Sequence, residues 1–308
     1  RPIKAQYGVA GTTAIIEMAS ASGLPLLRAE ERDPWMTSTY GTGEMMMDAI
    51  RRGCRNILLG IGGSATNDAG TGMLRALGYR FYDAKGREIT WCCGGQLGNI
   101  AHVDDTAVSV AVRQTHFTIA CDVDTPFCGR EGATHVFAPQ KGADQEMVAL
   151  LDKGLRNFAE AILRFNAKDI ARVPGAGAAG GMGAGLMALL NARLTKGIDV
   201  VLDAIHFDDF IMGSDLVVTG EGRIDYQTLM GKAPGGVLER ATAQSIPTIA
   251  IGGCICWCRE LRESNFKEII CINPDNLPET QAMQHDIAMK NVRQAGRQVA
   301  TITLLGKS

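Results

Sequence analysis

Short apolar runs alternating with amphipathic segments constrain this chain more than any other feature. Ala14-Ile15-Ile16 precedes an amphipathic stretch from Gly43 to Arg51, and Asn56-Ile57-Leu58-Leu59 precedes another from Gly70 to Leu77. That rhythm predicts an α/β fold in which helices cover a mostly parallel sheet. Phe117–Ala120, Leu216–Thr219, Thr248–Ile251 and Glu268–Cys271 read as further strands, and 144–163, 183–191, 235–244 and 281–301 as helices. A length of 308 residues exceeds the usual range of one compact domain, so two α/β domains are expected. The composition shifts near His206 to Gly213, and a strand, loop, helix, strand series begins at Asp215. The domains are therefore placed at 1–205 and 206–308.

Charge narrows the partners. The 31 basic and 33 acidic residues are interspersed and leave a formal charge of -2, which favours neither nucleic acid nor an anionic membrane surface. No apolar run approaches the roughly 20 residues that span a bilayer. The nine cysteines are odd in number and unevenly placed, as expected of reduced thiols in a cytoplasmic protein. A small-molecule substrate is the expected partner, and a homodimer is allowed. The chain opens Arg1-Pro2-Ile3-Lys4 without an initiator Met, so a preceding natural segment is expected.

Three loops have the composition for chemistry. After Leu58-Leu59 the chain breaks into Gly60-Ile61-Gly62-Gly63-Ser64-Ala65-Thr66-Asn67-Asp68 and then feeds a helix. Ligands gather at the carboxyl ends of parallel strands, and free N–H groups at a following helix attract anions. Gly62, Gly63, Ser64, Thr66 and Asn67 are thus expected to meet phosphate or substrate, and Asp68 a metal or a substrate hydroxyl. A glycine turn with Ser or Asp capping the helix is the plainer alternative. In the second loop, Asp122 and Asp124 stand at i and i+2 after an apolar strand, a pattern suited to one Mg²⁺ or to an Asx turn into Pro126. In the third, Thr219-Gly220-Glu221-Gly222-Arg223-Ile224-Asp225 precedes Gln227-Thr228 and Gly231-Lys232-Ala233-Pro234. Arg223 and Lys232 suit anions there, while Asp225 or Glu221 suits Mg²⁺ or base work. A solvated cluster of salt bridges is the alternative.

Other motifs fail on context. Residues 175–180 spell a G-x-G-x-x-G dinucleotide fingerprint, but Pro174 stands where its strand should end. That stretch is read as a glycine loop, with Gly180 and Gly181 letting a ligand approach the backbone. Gly306-Lys307-Ser308 imitates the end of a Walker A loop, yet Thr301 stands where Gly is required. Cys254, Cys256 and Cys258 flank Trp257 at C-x-C spacing, which does not suit zinc.

Taken together, the Gly60–Asp68, Ala120–Asp124 and Thr219–Asp225 segments resemble the bacterial glycerate kinase family of the glycerate 2-kinase type. Phe137-Ala138-Pro139-Gln140-Lys141-Gly142-Ala143, the Gly175–Gly183 loop and Gly231-Lys232-Ala233-Pro234 extend the likeness in the same order. The resemblance implies ATP-dependent phosphorylation of D-glycerate with Mg²⁺, with 2-phosphoglycerate favoured over 3-phosphoglycerate. It also implies two α/β domains, one inserted into a Rossmann- or flavodoxin-like domain, with the active site in the cleft. Residues 206–308 would then be the C-terminal part of the Rossmann-like domain. Members begin with a further segment carrying Asp-Ser-Phe-Lys and Asp-Gly-Gly-Glu-Gly motifs, which this sequence lacks. They also have a small-residue loop and a helix where this chain has the Cys- and Arg-rich 254–266. Asp68 or Asp225 near substrate and metal, Arg223 and Lys232 on anions, and the Gly62 and Gly180 loops as cradles are the expected roles. A nicotinamide-dependent oxidoreductase and a catalytically inactive small-anion sensor are the competing expectations.

Overall fold

The chain divides into two compact units, Arg1–Thr195 and Lys196–Ser308, and the computed structural model describes residues 2–305. Gly306-Lys307-Ser308 lies outside the described residues. In the first unit the strands are β1 (Gly8–Ala10), β2 (Thr13–Glu17), β3 (Asn56–Gly60), β4 (Arg80–Tyr82), β5 (His102–Asp104), β6 (His116–Ala120) and β7 (Arg193–Thr195). One sheet has the order β1-β2-β3-β6-β7, parallel except for β1 against β2, while β4 and β5 form a separate antiparallel ribbon. Its register aligns Ala14, Ile57 and Phe117 in one row and Ile16, Leu59 and Ile119 in the next, all buried. A slip of one residue would turn both rows out of the core, so the apolar alternation fixes the pairing.

The longer helices of this unit are α1 (Tyr40–Arg51), α2 (Thr71–Ala76), α3 (Ala133–Phe137), α4 (Gln145–Asn166) and α5 (Ala178–Leu189). α4 starts where Asp144 caps it, its carboxylate accepting from the Met147 N–H at 2.8 Å. Val148, Leu151, Leu155, Phe158 and Ile162 then recur at three- and four-residue steps and are buried. Each such side chain contributes about 1.5–3 kcal/mol on leaving water. The helix ends at Ala167, whose φ of 60° breaks the helical path.

The second unit carries β8 (Val217–Ile224), β9 (Thr248–Ile255) and β10 (Glu268–Cys271) in the parallel order β10-β9-β8, with helices α6 (Gly197–Ala204), α7 (Ala233–Ala243) and α8 (His285–Leu305). The compact units meet at 195/196, because α6 is bound to α7. Ile198 fills the space over Gly236, and Arg240 pairs with Asp199, Asp203 and Asp208.

β8 also runs further than expected. Gly220 and Gly222 do not turn the chain; they continue the ladder, with Glu221 opposite Gly252 and Arg223 opposite Cys254. A Cβ on Gly220 would lie 2.5 Å from the Ile251 carbonyl oxygen, so glycine serves close strand approach here. Within 254–266, β9 continues to Ile255 and a short helix at Arg259–Arg262 buries Leu261. The α/β class and mostly parallel sheets match the sequence reading.

Replacing Asp144 with Ala is expected to lower stability by about 1 kcal/mol through loss of the α4 cap, with no other change in the fold. Urea unfolding of the two proteins checks this, and an unchanged midpoint would contradict it.

Candidate active site

The loop after β3 is built from two different halves. Gly62 and Gly63 are exposed, whereas Ser64 through Gly70 are buried. The turn is pinned to the chain after β2: the Leu24 N–H donates to the Gly63 carbonyl at 2.8 Å and the Ala65 N–H to the Ser22 carbonyl at 2.9 Å. Ser22, Gly23, Ala65 and Thr66 line one side of a cavity of about 790 Å³ that also reaches Tyr40 and Glu44. Beneath the loop, Lys141 is almost fully buried, and its Nζ donates to Ser64 Oγ at 2.8 Å and to the Thr66 carbonyl at 2.7 Å. Asn67 Nδ2 donates to Thr134 Oγ1 at 3.1 Å. Among the described residues Thr66 Oγ1 is buried without a partner.

Asp68, expected to meet a metal or a substrate hydroxyl, is enclosed by donors of the protein itself. Its buried carboxylate accepts from the Thr39 N–H and hydroxyl at 2.8 Å each, from the Gly70 N–H at 3.1 Å and from the Gly72 N–H at 3.3 Å. It anchors the start of α2 to α1. Burial raises its carboxyl above the usual range while the Thr39, Gly70 and Gly72 donors pull it down. The same burial pushes the Lys141 ammonium down to about 7, with the Asp68 charge acting the other way.

Gly180 and Gly181, expected to form a cradle, lie in the interior of the first unit. Ala179, Gly180 and Gly181 take three consecutive left-handed conformations inside α5, and all three are buried. A Cβ on Gly180 would lie 2.1 Å from the Thr66 carbonyl oxygen, and one on Gly181 2.5 Å from the Phe127 ring. The Gly180 carbonyl accepts from the Ala69 N–H at 3.0 Å. The backbone approach that these glycines permit is made by the protein's own loop and not by a ligand. No strand leads into them: residues 167–177, all described, are turn and coil. The context a dinucleotide fingerprint requires is missing, and the oxidoreductase reading falls with it.

Asp122 and Asp124 are exposed on the loop after β6. Among the described residues no group of three or more His, Cys, Asp or Glu side chains converges on a point a metal could occupy. Two hard carboxylates suit Mg²⁺, which keeps several waters and takes further oxygens from phosphate.

The charged segment of the second unit does come together. Thr228, fully buried, donates its hydroxyl to Glu221 Oε1 and accepts from the Asp225 N–H at 3.0 Å. Asp225 Oδ1 accepts from the Gln227 N–H at 2.9 Å. Lys232 Nζ stands 3.7 Å from Asp225 Oδ1 and 4.0 Å from Glu221 Oε2. Two partly exposed carboxylates and one ammonium therefore share the carboxyl end of β8. Arg223 is outside this group and donates through Nε and Nη2 to Cys256 Sγ, both at 3.3 Å. Sequence reasoning gave no role to Lys141 or Cys256. Lys141 stood in the Phe137–Ala143 motif, but its partner Ser64 is 77 residues away.

The chain matches the family described as "Glycerate kinase family" over residues 1–304. It is 43% identical to a glycerate kinase of Bacillus cereus over 97% of this chain and 79% of that protein. It is 46% identical to a glycerate 2-kinase of Escherichia coli K12 over 82% of this chain and 67% of that protein. A crystal structure of a protein assigned as glycerate kinase 2 from Salmonella typhimurium LT2 matches with a TM-score of 0.82 and 40% identity, over 99% of this chain and 80% of that one.

The buried lysine sets a pH dependence. Its folded value, about 7, lies below the ordinary 10.5, so between those limits the unfolded chain binds more protons. The penalty of burying the charge is present in full below about 7 and fades as pH rises toward 10.5, so this group makes stability rise with pH across that window. Replacing Lys141 with Met is expected to flatten that rise relative to wild type. Unfolding free energies at several pH values across the window check it, and parallel profiles would contradict it.

Proposed function

The chain belongs to the glycerate kinase family, and from that premise we propose that it transfers the γ-phosphoryl group of ATP to the 2-hydroxyl of D-glycerate. The observation that carries the reading is the Glu221, Asp225, Thr228 and Lys232 cluster at the carboxyl end of a parallel strand. Ligands of open α/β sheets bind at such strand ends. Choice of the 2-hydroxyl is supported by likeness to the Escherichia coli relative named glycerate 2-kinase.

Phosphoryl transfer asks the protein mainly to position groups and to offset charge. Asp225 is assigned the proton of the attacking hydroxyl: its Oδ1 is held by the Gln227 N–H, and the side chain remains partly open to solvent. As the hydroxyl oxygen bonds to the γ-phosphorus, the bond to the ADP oxygen breaks and the proton passes to the Asp225 carboxylate. Lys232 supplies a point charge for phosphate oxygens, and Glu221, fixed by Thr228, holds that ammonium near its task. Arg223 is assigned a forked contact with a carboxylate or phosphate. The exposed Gly62-Gly63 turn, with Ser64 behind it, is assigned to backbone contacts with an anion, while Gly180, Gly181 and Asn67 support that turn from the interior. Mg²⁺, when bound, offsets charge on the β- and γ-phosphates, and Asp122 and Asp124 are the side chains assigned to hold it with water and phosphate oxygens.

Glycerate-dependent ATP consumption by the purified chain tests the activity. Excess chelator is expected to abolish turnover and added Mg²⁺ or Mn²⁺ to restore it; full turnover in chelator would exclude the metal. Asp225→Asn keeps the oxygen that caps the following turn but loses the base. Its kcat is expected to fall by on the order of a hundredfold while the melting temperature hardly moves. Near-normal turnover would reduce Asp225 to a salt-bridge partner, and loss of activity by unfolding would make it structural.

A further inference from the structure

Three thiols gather at the carboxyl end of the second unit's sheet. Cys254 lies in β9 opposite Arg223, Cys256 follows two residues later, and Cys271 ends β10 opposite Gly252. The Arg223 guanidinium points two N–H groups at a single sulfur, Cys256 Sγ, each at 3.3 Å. Such a fork normally meets a pair of oxygens. Cys254 and Cys256 stand two residues apart where β9 ends. Cys254 is exposed and Cys256 half-buried, so a small reagent can reach both.

Five of the other thiols, all in the first unit, are set differently. Cys54, Cys92 and Cys93 are buried, and burial drives the Cys92 thiol up to about 12. Burial and the Val123, Asp122 and Asp124 surroundings of Cys121 give a net rise there too, as burial does at Cys128. Reactive thiolates occur in electropositive, partly exposed surroundings. Cys256 has both, and a second thiol stands two residues before it in the chain.

We propose that Cys256 and Cys254 form an oxidisable dithiol that hydrogen peroxide converts into a disulfide. The Cys256 sulfur attacks one peroxide oxygen; the O–O bond breaks, the other oxygen leaves and is protonated to water, and Cys256 becomes a sulfenic acid. The Cys254 sulfur then displaces that oxygen as a second water and forms the S–S bond. The two sulfurs together lose two electrons and the peroxide gains them. The proton of the Cys254 thiol leaves with that oxygen in the second water. Residues i and i+2 of an extended chain have Cα atoms about 6.6–6.8 Å apart, at the long end of what a disulfide spans. A bond formed there is strained and readily reduced. Oxidation also removes the sulfur as an acceptor for Arg223, freeing a guanidinium that stands on the same strand as Glu221.

The test treats the folded, reduced chain with hydrogen peroxide, with and without a sulfenic-acid-trapping dione, and locates the products by intact mass and peptide mapping. Wild type is expected to lose two hydrogens through a Cys254–Cys256 bond that dithiothreitol reverses. Cys254→Ser is expected to accumulate the dione adduct on Cys256, and Cys256→Ser to give neither product. Arg223→Met is expected to slow oxidation of Cys256 by about tenfold or more, with Arg223→Lys restoring part of the rate. First oxidation at another cysteine, or an Arg223→Met protein oxidised at the wild-type rate, would overturn the proposal. The readout is chemical, so it stands apart from whether the chain phosphorylates glycerate.

Discussion

One buried ammonium holds the first unit's loop in place. Lys141 Nζ reaches Ser64 Oγ and the Thr66 carbonyl, and Asp68 stands close enough to offset part of its charge. A charge that deep is tolerated only where hydrogen bonds replace water. The loop that supplies them is itself locked by Asp68 to Thr39 and by the Gly180 carbonyl to Ala69. Glycine at position 180 is what lets the second of these contacts form, since any side chain would strike Thr66. The consequence is a turn, Gly62-Gly63, that is open at its tip and rigid beneath.

The second unit solves a different problem. Its charged side chains sit at a strand end within reach of water, joined by Thr228 and by ion pairs longer than 3.5 Å. Exposed pairs of this kind contribute little to stability, so their convergence is better explained by chemistry than by folding. Buried charges in the first unit fix geometry; those of the second stay accessible to solvent.

Much of this was legible in the sequence, and the failures share a cause. The alternating apolar runs at Ile57 and Phe117 and the capped, amphipathic 144–163 stretch showed their elements directly, because both signals are local. β1, β4, β5 and β7 are three residues each, too short for a period to register. Gly220 and Gly222 looked like a turn because glycine favours turns, but tight strand approach uses the same property at Gly220. Asp68 and Gly180 were recognised as belonging to special loops, yet which side of a loop faces the interior depends on Thr39 and Thr66, and no local pattern encodes that. The Lys141 contacts span too much sequence to be read from spacing, and Arg223 was expected to meet an oxygen because nothing in the spacing brings Cys256 to it.

The account rests on phosphoryl transfer to glycerate, and product analysis reaches that claim most directly. Phosphorus NMR of the purified chain with ATP, Mg²⁺ and D-glycerate should show 2-phosphoglycerate and ADP accumulating in equal amounts. ADP formed at the same rate without glycerate, or a folded chain that leaves both substrates untouched, would contradict it.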